Sequence, residues 1–459
     1  MEEIRILSTT AILGYGFPEE SFNEGIKRKP HVIAVDAGST DPGPYYLGAG
    51  TSFTAYEGVK RDMEYMIKAA LELNVPVVVG SAGGCGADSH LQWNVDIVKD
   101  IAKENGYSFK MAVISSQIEN KVVLEKFKQG KVTPLYGAPE ATEEDINESV
   151  NIVAQMGHEP FVEALEAGAQ VIISGRAYDP CPFAAIAIHK GYDLGLALHL
   201  GKILECAAIA STPGSGSDCL FGTLGSDYFK LETLNPARKC TTLSVAAHTL
   251  YEKSDPYNLP GPGGTLDLTN TEFIQETDTV VKVKGTKFVP TPGYQVKLEG
   301  AKLSGYRTVS VASASDPIFI SKIDEIVAAV KDRVKQNFAH KITSDYYLNF
   351  RIYGKNGVMS MFEDLPHLTP NGEIGIVIEA CAKTQAEADT ICSFARSSLL
   401  HFGYDGRKST AGNLAFPFSP SDFKAGAAYT FSLYHLMEVD SPTEYFPITY
   451  YNVEKGTVK

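Results

Sequence analysis

A chain of 459 residues exceeds what one hydrophobic core normally organises, so two or three domains are expected. Hydrophobic content of 44% and charged content of 21% exclude a disordered chain, and a net charge of −14 disfavours nucleic acid, whose phosphates need a Lys/Arg-rich face. Seven cysteines, scattered from Cys85 to Cys392 with no CxxC pair and no zinc spacing, argue against a disulfide framework and a structural zinc. The start at Met1 has neither the basic nor the apolar stretch of a signal peptide, and no run approaches the ~20 apolar residues of a membrane span. The expected compartment is the cytoplasm, with no membrane partner.

In chain order, Ile4 to Leu7 and His31 to Val35 read as strands. A helix follows around Glu57 to Leu73, where Val59, Met63, Met66, Ala70 and Leu73 repeat at helical period. Val75 to Val79 is a β-branched run suited to a strand buried on both faces, and a helix over Ser89 to Glu104 comes next. Phe109 to Ile114 reads as a strand, Ser116 to Lys128 as a helix, and one or two helices lead to a strand at Gln170 to Ser174. Strands alternating with helices predict an α/β fold: a mainly parallel sheet with helices on both faces, over residues 1–211.

Residues 212–306 are rich in Pro and Gly, with short Val/Thr segments such as Thr279 to Val283, and read as an irregular β-rich connection. From 307 to 459 the order is strand, helix, strand, strand, helix: Arg307 to Ala312, Ile323 to Val334, Tyr346 to Tyr353, Ile374 to Ala380 and Thr384 to Leu400. Thr384-Gln385-Ala386-Glu387 is a capping box opening the last helix. This β-α-β-β-α order predicts a C-terminal α+β, ferredoxin-like domain, with the Tyr- and Phe-rich tail from Ala427 to Val453 draped over a neighbouring element.

Three loops at predicted strand ends carry chemistry. The first is Gly80-Ser81-Ala82-Gly83-Gly84-Cys85-Gly86-Ala87-Asp88-Ser89-His90, with Asp88 or Ser89 as the helix cap. Gly83, Gly84 and Gly86 let backbone approach a ligand, and a helix N-terminus offers N–H groups to an anion; the loop is also readable as a bare tight turn. The second, Val35 to Pro44, holds Asp36, Ser39, Thr40 and Asp41, which can bind a substrate, move protons or ligate a hard cation. In the third, Ser174 to Pro180, Arg176 can clamp a carboxylate and Asp179 can act as base or metal ligand, or the two can pair and pin the loop. In a parallel sheet the three loops share one edge. His90 is a candidate acid, Glu205 reads first as a solvated helix face, His248 as a core histidine, and Cys85 as a passive thiol.

Ser174-Gly175-Arg176, Leu204-Glu205-Cys206, Pro262-Gly263-Gly264, Tyr434 to Glu438 and, above all, Ala411-Gly412-Asn413-Leu414-Ala415-Phe416-Pro417-Phe418-Ser419-Pro420-Ser421-Asp422 resemble the acyclic terpene utilisation AtuA family over nearly the whole chain. The resemblance implies a bacterial catabolic enzyme, or enzyme subunit, acting on a carboxylate or acyl-CoA, with a small companion protein as a partner; it transfers no catalytic residue. A homo-oligomer is also expected. The leading expectation is a lyase, a hydratase or dehydratase of a small carboxylate or its CoA thioester. Asp36 or Asp179 would be the base and His90 the acid, while Arg176, Ser39 and the N–H groups of Gly83, Gly84 and Gly86 hold substrate. A divalent cation on Asp36, Asp41 or Asp179 is compatible with this. The alternatives are a CoA- or nucleotide-dependent transferase or ligase, and a non-catalytic subunit of a heteromeric enzyme.

Overall fold

The computed structural model describes residues 2–342, 344–355, 357–358, 372–408 and 411–458. They form two units, one of Met1–Lys302 with Phe431–Lys459 and one of Leu303–Thr430. The strands Tyr294–Ala314 and Asp422–Val439 contribute residues to both.

The first unit is built on an eleven-stranded sheet. Its centre is parallel, in the spatial order Ile4–Ser8, Val32–Asp36, Val77–Gly80, Val171–Ser174, Phe109–Ile114. The expected parallel sheet is therefore only the middle of a mixed one. Leu220–Leu224, Tyr228–Thr233, Val280–Lys284 and Glu272–Gln275 extend it antiparallel on one side. Ile448–Glu454 pairs antiparallel with Phe109–Ile114 on the other, so the tail expected to drape is a sheet strand. Tyr228–Thr233 and Val280–Lys284 alternate half-buried and buried residues, which the antiparallel ladder tolerates and a parallel strand buried on both faces does not.

Every residue of Val32–Asp36, Val77–Gly80 and Val171–Ser174 is buried. Alternate side chains feed two cores. Ala34, Val78 and Ile172 join Phe183, Ala184 and Leu200 of the helices Cys181–His189 and Leu194–Leu204. Val35, Val79 and Ile173 face Met63, Met66, Val98 and Ile101 of the helices Tyr56–Leu73 and Asp88–Asn105. Ser149–Gln155, expected within a helical stretch, is a strand pairing with Lys297 to Lys302. The helix expected from Ser116 starts at Asn120.

In the second unit Ile374–Ala382 lies antiparallel between Tyr347–Tyr353 and the Tyr306-to-Ala314 part of the long strand. The helices Ile323–Phe338 and Gln385–Leu400 close its core, the first through Ile323, Ile326, Val330, Val334 and Phe338. Thr384 and Glu387 make both halves of the capping box. Among the described residues no helix is long and apolar enough to cross a membrane.

Candidate active site

The parallel strands end along one edge of the first unit, where Asp36 closes its strand opposite Gly80 and Arg176 follows Ser174. A cavity of about 270 Å³ opens there. Asp36, Ser39, Asp41, Asp179, Glu205, Cys206 and Glu252 supply polar groups to its wall, Tyr251 adds a phenol, and Phe53 and Ile209 are part of its apolar side. The acidic loop thus lines the cavity together with Asp179. Thr40 turns inward instead and donates to Glu299 Oε1 at 3.1 Å.

Asp36 fits because its neighbour has no side chain. A Cβ on Gly80 would sit 3.0 Å from Asp36 Oδ1 and 2.5 Å from Pro182 Cγ. Asp36 Oδ2 accepts from the Gly38 N–H at 3.1 Å, while Oδ1 has no partner among the described residues. Burial, and then the carboxylate of Asp179, push the Asp36 carboxyl well above the usual range, with Arg176 opposing them.

Arg176, 2% exposed, stands behind the cavity rather than in its wall. It donates to Glu299 at 2.7 Å, Asp179 at 2.8 Å and Ser81 at 3.1 Å, so the loop-pinning pair is real and larger than expected. Lys297 closes on Glu299 from the other side at 2.7 Å. Burial pushes the Glu299 carboxyl up, yet Arg176 and then Lys297 outweigh it and hold it at about 2. The chain Lys297–Glu299–Arg176–Asp179 fixes Asp179 in the wall.

The glycine loop corrects the sequence reading. Gly84 and Gly86 already donate their N–H groups to Ser81 and Ala82 carbonyls within the loop. Nor is there room for a ligand against them. A Cβ on Gly83 would meet His90 at 2.7 Å, on Gly84 it would meet Phe53 at 2.4 Å, and on Gly86 it would meet the Arg176 backbone nitrogen at 2.0 Å. The backbone approaches protein, and its work is to seat Phe53 and the Arg176 turn. Gly86, at φ +70°, holds a conformation that L side chains rarely adopt. Gly86→Ala is expected to destabilise by about 1–3 kcal/mol from the backbone conformation alone, with the clash adding to it; the urea midpoint of the purified variant reads the loss.

His90 is likewise absent from the cavity lining. It is buried, pairs through Nε2 with the Thr51 carbonyl at 2.9 Å, and burial lowers its pKa. The ring packs against Gly83 and does not line the cavity. The helix it opens is capped by Ala87, not by Asp88 or Ser89: the Asp88 N–H donates to Gln117 and its carboxylate accepts from Ser115. Cys85 is buried and its thiol is pushed up to about 12 by burial, in keeping with a passive side chain.

Glu205, read from sequence first as a solvated helix face and second as a carboxylate near the site, is 5% exposed and lines the cavity. It ends the helix Leu194–Leu204, whose polar face turns inward: Lys202 pairs with Glu205 Oε1. Burial raises the Glu205 carboxyl to about 7 against the pull of Lys202. Its Oε2 has no partner among the described residues, and neither has Nε2 of the buried His248. Ligand atoms of Glu205, Cys206 and His248 all lie within 4.8 Å of one another, a candidate metal-binding triad. Sequence reasoning missed it because the donors come from two segments without any metal-binding spacing; the one available signal was acidic and thiol side chains adjoining at the end of an apolar helix.

The family model described as acyclic terpene utilisation family protein AtuA matches residues 52–216 and 234–418, a span that includes Arg176, Asp179, Glu205, Cys206 and His248. No curated protein and no solved structure matches the chain.

Proposed function

The chain belongs to the acyclic terpene utilisation AtuA family, and from that premise we propose that it is a catabolic hydro-lyase acting on a small carboxylate or the acyl end of its CoA thioester. The observation that carries the reading is the cavity wall, where Asp36 and Asp179 face one small volume in contrasting surroundings. A buried carboxyl with a raised pKa and a second carboxyl paired with a guanidinium at the same volume can divide acid and base work. Asp179, paired with Arg176, takes the carbon-bound proton beside the substrate carbonyl. Asp36, kept protonated by burial, donates to the departing hydroxyl. The C–O bond breaks, a C=C bond forms, and the hydroxyl leaves as water. Ser39 and Tyr251, in the same wall, supply hydroxyls that can orient the substrate. A volume of about 270 Å³ is below the range typical of whole cofactor sites, so a nucleotide portion of a thioester would lie outside it.

The test is incubation in D2O with 3-hydroxy carboxylates and with 3-hydroxyacyl- and 2-enoyl-CoA thioesters, followed by mass spectrometry. The expected result is reversible loss and gain of one water, with deuterium entering next to the carbonyl. Turnover that consumes CoA or ATP would make the protein a transferase or ligase. Turnover only after a small companion protein is added would make it a subunit.

A further inference from the structure

We propose that Glu205, Cys206 and His248 form a binding site for one divalent transition-metal ion of the zinc class at the wall of the acidic cavity. The donors are a carboxylate, a thiol and an imidazole, a set that such ions prefer and that calcium and magnesium do not. Two of the three, Glu205 and His248, are 5% exposed, and each carries a buried polar atom with no partner among the described residues. An orphaned carboxylate oxygen and an orphaned ring nitrogen, on two buried residues that each bring a ligand atom within 4.8 Å of the other's, are costly unless something binds both. An ion does so.

The local structure is arranged to present these atoms. Cys206 follows the helix end at Glu205, and the chain then turns through Ala207 at φ +47°, a conformation a β-carbon resists. His248 comes from the helix Thr242–Thr249 and is held by stacking on Tyr251, ring centroids 5.4 Å apart. Zinc-type bonds of about 2.0–2.3 Å place tetrahedral donors about 3.3–3.8 Å apart, so loading draws ligand atoms now within 4.8 Å of one another together by at most about 1–1.5 Å. Lys202, on the other oxygen of Glu205, and Lys253 nearby oppose a cation; the Cys206 thiolate formed on binding, with Asp179, offsets them. Three protein donors leave a fourth position, and Glu205 and Cys206 line the cavity, so that position faces the substrate volume. The ion's role in turnover rests on the hydro-lyase reading; the site itself rests on the side-chain geometry alone.

The experiment loads the full-length chain with Zn2+ or Co2+, removes free ion and measures bound metal per chain. One ion per chain is expected, with Co2+ giving a sulfur-to-metal charge-transfer absorption. Cys206→Ala and His248→Ala should each weaken binding at least tenfold, while Asp36→Asn leaves it unchanged. Absence of the charge-transfer band in the wild-type chain overturns the site even if the variants fail to fold, as does metal retained equally by folded Cys206→Ala and His248→Ala. Metal bound without water addition or loss on any substrate keeps the site and removes the hydro-lyase; water addition by a chain that binds no metal does the reverse.

Discussion

Arg176→Met is expected to cost about 3–5 kcal/mol of stability, the usual penalty for removing one partner of a buried ion pair. The guanidinium stands between two acids, Glu299 at 2.7 Å and Asp179 at 2.8 Å, and Glu299 is only 1% exposed. Truncation leaves the Glu299 carboxylate with Lys297 and Thr40 alone, in surroundings where burial already opposes its charge. It also takes one of two donors from Ser81, whose hydroxyl accepts from both Arg176 and the Ala177 N–H while its own backbone holds φ +49°. Denaturant unfolding of Arg176→Met, Glu299→Gln and the double variant measures the coupling. The double variant should recover part of the loss, because neutralising the acid removes the orphaned charge. A single-variant loss below about 1 kcal/mol would mean that Lys297 suffices and that Arg176 is not what holds Glu299 down.

The same residue shows how far sequence carries. Arg176 and Asp179 were legible as a pair because they stand three apart in a loop after an apolar run. Glu299 was not, since it lies on a strand paired with Ser149–Gln155, itself read as helical, and no local pattern links it to residue 176. The buried strands at Val32, Val77 and Val171 were visible as β-branched runs, and so was the edge where they end. Of the antiparallel extensions, Val280–Lys284 showed as a Val/Thr segment, whereas Leu220–Leu224 and Tyr228–Thr233 were hidden in Pro/Gly-rich sequence, where short strands leave little periodicity. Of the site, Asp36, Ser39, Asp41 and Asp179 do line one cavity. The glycines misled for a physical reason: a glycine marks close approach without saying what approaches. Here it is Phe53, His90 and the Arg176 backbone. Glu205 and His248 fail as sequence signals because burial decides their chemistry, and burial belongs to the tertiary fold.

Asp36→Asn carries the other large effect, and it has opposite signs in activity and stability. If Asp36 supplies the proton to the departing hydroxyl, its amide should lower turnover by about 10²–10⁴-fold, the usual contribution of a positioned acid. Stability should move the other way. In the folded chain burial and Asp179 hold the Asp36 carboxyl well above the value it has when unfolded. The folded state therefore keeps its proton over a pH window where the unfolded state has lost it. That contribution is complete below the unfolded value and is lost as pH rises through the raised folded value. The wild-type chain accordingly loses stability across this window as pH increases, and Asp36→Asn, which stays neutral, escapes that loss while retaining an oxygen to accept from Gly38. Melting temperatures of the two chains should converge in acid and separate at neutral pH and above, the variant higher. Such a pairing of gained stability with lost turnover is expected where a side chain is retained for chemistry at the fold's expense. A variant that loses both would make Asp36 a structural acid, and one that keeps turnover would move the proton donor elsewhere in the cavity.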